Sequence, residues 1–280
     1  MIGGLRLHRL AAAVAAAVVA VLAGTVWAAD APVPSVDEIV RRTNFAAYYQ
    51  GRDGRADVTM TIRDAAGAER KREFAILRRD QQKADEPDAA FAGEQKLYVY
   101  FQRPADVNKM AYLVHKHPGG DDDRWLYLPA LDLVKRIAAG DKRTSFVGST
   151  FFYEDVSGRS TDLDRHELLE TTANYYVLRN TPKDPASVEF SSFTMWVHRS
   201  TFLPVKIEYA DREGRPYRAY EALKVETIQD LPTVTKARMK DLSRGGETVL
   251  EYTKVEYNIG LPEDIFTERY LRNPPRQYLR

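Results

Sequence analysis

The chain has 280 residues, with 41 Lys and Arg against 40 Asp and Glu, a formal charge of +1, and no cysteine. Basic and acidic residues are interleaved, which excludes the basic stripe of a nucleic-acid binder. Without cysteine there can be no disulfide framework, no thiolate metal centre and no lipobox, so stability must rest on packing alone.

Met1 to Ala28 has the three-part form of a secretory signal: Arg6 and Arg9, an uncharged apolar run from Leu10 to Ala23, then small residues. Val26 and Ala28 place the expected cut after Ala28. The run is short of the roughly 20 residues that span a bilayer; a retained anchor is the alternative. Residues 29–280 then read as one exported domain, with no linker, repeat or low-complexity block to divide them.

Ser35 to Tyr49 opens with Ser-Val-Asp-Glu and continues with Ile39, Val40, Phe45 and Tyr48, which predicts an amphipathic helix with acids in its first turn. From Arg55 the period becomes two. Val58, Met60 and Ile62 alternate with polar residues, Asp64 to Gly67 turns the chain, and Lys71 to Arg78 returns with Phe74 and Ile76 inward. Gln81 to Gly93 reads as a mobile loop. Gln95 to Gln102 and Lys109 to His115 are strands, and in the first Leu97, Val99 and Phe101 alternate with Tyr98 and Tyr100. A strand apolar on both faces needs cover on both. The amino-terminal helix is one expected cover and a ligand could be another.

Farther on, Glu167 to Arg179, Val188 to Arg199, Leu203 to Ala210 and Tyr217 to Thr227 read as strands. Thr233 to Asp241 and Thr248 to Asn258 flank Arg244-Gly245-Gly246, a hairpin signal. Leu261 to Phe266 closes the pattern with a helical turn. About ten strands on short hairpins predict a mainly β protein built on a large, curved antiparallel sheet. Its concave face must be filled by side chains, by short helices or by a bound molecule.

Between these halves, Asp123 to Arg159 packs Trp125, Tyr127, Phe146, Phe151, Phe152 and Tyr153 among charges and glycines. The run is too aromatic for a surface loop and too broken for a buried helix. It either closes the domain's own core or meets an apolar guest. The phrases D-R-W-L-Y-L-P-A-L with K-R-I, and S-F-x-G-S-x-F-x-Y-E-D over Ser145 to Asp155, resemble the signature of the outer-membrane lipoprotein-sorting proteins of the LolA-like superfamily. The branch most similar is the one associated with RND-type (MMPL-like) lipid exporters. The resemblance implies a LolA-like half-barrel in the periplasm with a few short helices as plug or lid, holding a lipid or lipidated protein. It also implies an RND/MMPL-type inner-membrane exporter as partner, while the outer-membrane acceptor stays unidentified. No single Arg can be matched to the lid-locking Arg of the family's carriers, so the cargo need not be lipoprotein.

Catalytic patterns are weak. There is no G-x-S-x-G elbow and no P-loop. His166-Glu167-Leu-Leu-Glu170 lacks the second His of a zincin, His115 and His117 read as strand-end residues, and Asp121 to Asp123 lack the spaced ligands of a calcium loop. No metal, no cofactor and no enzymatic activity are expected. Apolar binding remains: one acyl chain of about fourteen methylenes at ~0.8 kcal/mol each contributes on the order of 11 kcal/mol gross. The expected cup residues are Val58, Met60, Phe74, Ile76, Leu97, Val99, Phe101, Tyr112, Trp125, Tyr127, Phe193, Met195, Val205 and Ile207, each equally readable as ordinary core. Phe146, Gly148, Phe151, Phe152, Tyr153, Glu154 and Asp155 form the lid or partner motif. The lid combines Thr144 to Arg159 with the Ser35 to Tyr49 helix and swings at Gly140, Gly148 and Gly158. The rival readings are a periplasmic lipid sensor docked on a membrane protein and, lower, a hydrolase using Asp123 or Glu154.

Overall fold

The computed structural model describes residues 33–81 and 93–280. The signal segment, its cleavage point and most of the Gln81 to Gly93 loop lie outside the described residues. Among these, thirteen strands join one antiparallel sheet: β1 (Asp53–Arg63), β2 (Glu69–Asp80), β3 (Gln95–Arg103), β4 (Ala111–Lys116), β5 (Asp123–Leu128), β6 (Leu133–Ile137), β7 (Asp164–Thr171), β8 (Tyr175–Pro182), β9 (Ser192–His198), β10 (Pro204–Ala210), β11 (Pro216–Ile228), β12 (Leu231–Asp241) and β13 (Glu247–Tyr257). Their spatial order is β6-β5-β4-β3-β2-β1-β13-β12-β11-β10-β9-β8-β7. The two halves of the chain are therefore zipped together where β1 pairs β13, with Val58 opposite Tyr252 and Met60 opposite Leu250.

The sheet is curved and open, with β6 and β7 as its two edges. Leu97 on β3 and Ile207 on β10 wall the same cavity although they stand six strand steps apart in that order. A flat sheet would separate them by about 29 Å, at ~4.8 Å per step. Curling brings them together, and this defines the concave face.

Two expected strands are resolved differently. The segment Glu167 to Arg179 is a hairpin, because the Thr172 hydroxyl accepts the Tyr175 amide at 2.9 Å and turns the chain between β7 and β8. Strand β9 begins only at Ser192; Val188 and Phe190 leave the sheet to join Phe193 and Tyr209 in a separate apolar cluster. The hairpin at Gly245 and Gly246 is present, both glycines at positive φ. Edge strand β6 follows Pro129 and a left-handed Asp132.

The amino-terminal helix α1 (Val36–Asn44) starts as expected, with the Ser35 hydroxyl accepting the Glu38 amide at 3.2 Å. Its body does not cover β3; only the end of the expected helix reaches that strand, where the Gln95 side-chain amide donates to the Tyr48 carbonyl at 2.8 Å. Ile39 packs instead with Tyr176, Leu178 and Val197 of β8 and β9, in the other half of the sheet. The second face of β3 is covered by the carboxyl-terminal segment: Leu261, Ile265, Phe266, Leu271 and Leu279 pack on Ala75, Leu77, Tyr98 and Leu113. Buried Asp53 seats that segment by accepting the amides of Ile259 at 2.7 Å, Gly260 at 3.1 Å and Leu261 at 3.2 Å. The Tyr98 hydroxyl donates to the Tyr270 carbonyl at 2.7 Å. Pro34–Arg280 form one compact unit, and no helix among the described residues is long and apolar enough to cross a membrane.

Candidate functional site

The concave face divides into a filled half and a hollow half. Over β1 to β4 the segment from Ser145 to Ser157 lies on the sheet as a plug. Its two arms pair as a short antiparallel bridge, Ser145 with Phe152, and end in the helix α2 (Tyr153–Ser157). The Phe146 ring sits 5.9 Å from Phe101, 5.6 Å from Tyr112 and 5.5 Å from Tyr153. These tilted and edge-on contacts are those that aromatic quadrupoles favour. Phe151 is buried in the same cluster as Val58, Met60 and Val99.

Ion pairs hold the plug. Glu154 is buried and meets Arg143, Arg159 at 3.3 Å and Lys142 at 3.9 Å. Asp155 accepts the Phe152 amide at 2.6 Å, closing the helix start, and pairs with buried Arg218. Arg218 lies 3.8 Å over the Phe152 ring and donates to the Thr150 carbonyl at 3.0 Å. Thr150 in turn binds β12 through the Met239 carbonyl at 2.7 Å and β13 through the Thr248 hydroxyl at 3.0 Å. Glu154, Asp155 and Arg218 each thus have an opposite partner, as low-dielectric surroundings demand.

Beyond the plug, β1 to β3 and β10 to β13 wall a cavity of about 290 Å³. This is near the lower end of small-molecule sites, roughly 300 to 1,000 Å³. Ile76, Leu97, Ile207, Val234, Ala237 and Met239 supply aliphatic wall, and Phe151 and Val156 belong to the plug. The remaining cover comes from the end of the amino-terminal helix, which widens into a π-helical turn over Phe45–Tyr49. That turn presents Ala46, Ala47 and Tyr48 to the cavity. Gln50 anchors it, its side-chain amide donating to the carbonyls of Ala46 and Pro232, both at 2.8 Å.

Turn and plug meet at Gly158. A Cβ there would lie 2.8 Å from Cζ of Tyr48, so only glycine lets the ring in, and φ is +82°. Buried Lys116 fastens the same junction: its ammonium donates to the Ser157 carbonyl at 2.9 Å and lies 5.1 Å from the Tyr48 ring centre. Burial draws the Lys116 amine down to about 8, with Asp122 pulling the other way. Nearby Asp80 is pushed up to about 6 by burial, against the pull of Arg78 and Gln95.

The model of a family described as Uncharacterized protein matches residues 93–273, well over half the chain. The chain belongs to that family. A DUF1329 family protein from Desulfovibrio piger is 28% identical, with a TM-score of 0.74 over 84% of this chain and 97% of that one. A domain proposed as an outer membrane lipoprotein-sorting protein, from Vibrio parahaemolyticus, is 26% identical with a TM-score of 0.73, covering 84% and 97%. A LolA superfamily protein from Nitrosomonas europaea, 22% identical, aligns with a TM-score of 0.63 over 85% of this chain and all of that one. The comparison with curated proteins returns no match. The sheet and its short helices are thus a LolA-like fold.

Within the LolA-like sheet, the expected cup residues separate into four groups. Ile76, Leu97 and Ile207 wall the cavity. Val58, Met60, Phe74, Val99, Phe101 and Tyr112 share the concave face but lie in solid packing beneath Phe146, Phe151 and Tyr153. Trp125 and Tyr127 are on the opposite face, a correction to their expected place. Trp125 pairs with Leu113, and both belong to the cluster under the carboxyl-terminal segment, whereas Leu126 pairs with Tyr112 and points inward. Strand β5 is apolar on both sides, so alternation alone could not orient it. Phe193 packs on Phe190 and Tyr209, Met195 joins the α1 cluster, and Val205 sits at a register shift.

Of the proposed hinges, Gly148 and Gly158 have positive φ and Gly140 does not. The histidines are engaged singly: His115 with the Phe266 carbonyl at 2.7 Å, His117 with Asp123 at 3.1 Å and His166 with Asn180 at 2.7 Å. Among the wall residues not expected are Tyr220, Val234, Ala237, Met239 and Tyr252 on β11 to β13. Their period-two spacing marked a half-buried face, but only the pairing of β1 with β13 shows that this face continues that of Val58.

Proposed function

We propose that this protein is a periplasmic carrier that binds a lipid or lipidated cargo under its concave face and passes it from an inner-membrane exporter of the RND/MMPL type towards the outer membrane. One observation carries the reading: strands from both halves of the chain, β1 to β3 and β10 to β13, share an apolar cavity that the chain's own side chains do not fill, next to a plug held mainly by ion pairs and aromatic contacts. The LolA-like fold supports it, as does the likeness to a domain proposed for lipoprotein sorting. The signal-like sequence at residues 1–28 favours export, and the motif at Asp123 to Asp155, by its resemblance, favours an exporter as partner.

At about 290 Å³ the resting cavity admits a short apolar segment. A longer chain needs the Ser145 to Ser157 plug to lift, exposing the aromatic floor of β1 to β4 as an extension of the site. The cargo then competes with Phe146, Phe151 and Tyr153 for the same surface, so a docked partner that holds the plug open favours loading and its departure favours release. Binding without turnover fits the carboxylates: Glu154 and Asp155 are both committed to arginines.

Native mass spectrometry of protein purified gently from its own periplasm tests this, together with transfer of labelled lipid between vesicles. A stoichiometric lipid and net transfer are expected, and Ile207→Asp should abolish both while the circular dichroism stays β-like. No bound lipid and no transfer would overturn the proposal. Bound lipid without transfer, in a stable one-to-one complex with a membrane protein, would replace the carrier with a lipid sensor.

A further inference from the structure

Four tyrosines, Tyr48, Tyr209, Tyr220 and Tyr252, line the cavity from the π-helical turn, β10, β11 and β13. All four face one hollow of about 290 Å³, close enough that burial and their mutual charge both hold the Tyr48 and Tyr220 phenols above the usual range. Neighbouring phenols in a water-poor space normally find protein partners. Two other buried tyrosines do so, Tyr98 on the Tyr270 carbonyl and Tyr49 on the Gly93 carbonyl, while the Tyr112 hydroxyl, sealed in the plugged half, does not. Among the described residues these four hydroxyls meet no hydrogen-bonding partner, and they are not sealed within packed side chains but open on the hollow. A cavity meant only for hydrocarbon would be lined by phenylalanine at these positions, as the floor under the plug is at Phe74 and Phe101.

The charged groups at the same cavity are committed elsewhere. Arg78 binds Asp80 at 2.7 Å and the carbonyls of Gln50 and Gly51, and Arg55 binds Asp57 at 3.0 Å. Asp155 is taken by Arg218, and Glu256 is exposed at the rim. Both cations among the described lining residues thus already have a carboxylate partner, with only the Nε–H of Arg55 left unpaired. Burial also keeps the phenols protonated, with those of Tyr209 and Tyr252 each pushed up to about 12, so they stand as neutral donors at physiological pH.

From this geometry we infer that the cavity selects a neutral lipid carrying an oxygen acceptor, an ester or ketone carbonyl or an alcohol, and that the Tyr48, Tyr209, Tyr220 and Tyr252 hydroxyls grip that oxygen while the aliphatic wall takes the adjoining hydrocarbon. The inference rests on the carrier reading and adds its specificity. It places the polar group inside the protein and not at the mouth, where a charged headgroup would have to remain.

The test uses the full-length mature chain and three probes of equal chain length: hexadecane, methyl palmitate and palmitate at pH 8. Methyl palmitate should bind most tightly. Tyr220→Phe and Tyr252→Phe, which keep ring and shape, should each weaken the ester by about three- to tenfold, the range of one ordinary hydrogen bond, and leave hexadecane unchanged. Removal of an unpaired hydroxyl should not lower the melting temperature of the unliganded protein, which separates recognition from a structural role. Equal binding of ester and alkane by the wild-type chain would overturn the inference and leave the carrier intact, the hydroxyls then serving cavity water. An unchanged ester-to-alkane ratio in both variants would also overturn it, as would a preference for palmitate. Binding of none of the three would remove the carrier reading itself.

Discussion

Truncating Phe146 tests whether the aromatic motif is structural packing or a loose flap. The side chain is 2% exposed and touches the rings of Phe74 at 6.3 Å, Phe101 at 5.9 Å, Tyr112 at 5.6 Å and Tyr153 at 5.5 Å. Burying about 200 Å² of aromatic surface at ~25 cal/mol per Å² contributes roughly 5 kcal/mol, part of which alanine retains. The lost ring contacts and the cavity left behind bring the expected cost of Phe146→Ala to about 4 kcal/mol, within the usual range for buried aromatics. Urea unfolding followed by tryptophan fluorescence should show a lower midpoint with an unchanged slope. Lipid uptake should become faster, since the plug competes less well for the floor of β1 to β4. A loss below about 1 kcal/mol would refute the reasoning, because a side chain so placed cannot be removed cheaply unless the segment already stands off the sheet.

The other predictions concern the fastenings of plug and turn. Glu154→Gln removes one carboxylate from Arg143 and Arg159, which keep Glu189 and Asp164, and should cost about 1.5 to 3 kcal/mol in thermal or urea unfolding, the range of a hydrogen bond to a charged group. Gly158→Ala meets both a positive φ and the Tyr48 ring, so it should destabilise by about 1 to 3 kcal/mol and reduce lipid uptake together. For Lys116, the folded amine titrates near 8 and the unfolded one near its ordinary value of about 10.4. The unfolded state therefore binds more protons between pH 8 and 10, and stability should rise with pH across that window by up to about 3 kcal/mol. Lys116→Met should flatten the rise, measured as unfolding free energy against pH. Above pH 10 the sign reverses, because the folded phenols of Tyr209 and Tyr252 keep protons that unfolded tyrosines lose. Stability should then fall, and less steeply in Tyr252→Phe.

Much of the fold was legible because period-two alternation and turn chemistry are local. The Val58, Met60, Ile62 face, the return through Phe74 and Ile76, and the Gly245-Gly246 hairpin all follow from neighbours within a dozen residues. So did the helix start at Ser35. The Thr172 turn and the departure of Val188 and Phe190 from the sheet were not legible, since a hydroxyl hydrogen bond and a stacking arginine decided them. The motif from Ser145 to Asp155 was visible as an aromatic cluster that had to meet something apolar. Of the two readings left open at that point, closure of the domain's own core holds over β1 to β4; a hollow remains towards β10 to β13, and a guest there belongs to the proposed function.

By itself the sequence determined a mainly β chain, the inward rows of most strands and the absence of any thiol chemistry, because residue types and their spacing act over a few positions. Only the tertiary structure decided that Trp125 and Tyr127 face outward under a tail more than 130 residues later, and that Tyr48 meets Tyr220 and Tyr252 across one cavity. A side chain's direction is local, but what covers it depends on which distant strand pairs with which, and that is a property of the whole sheet.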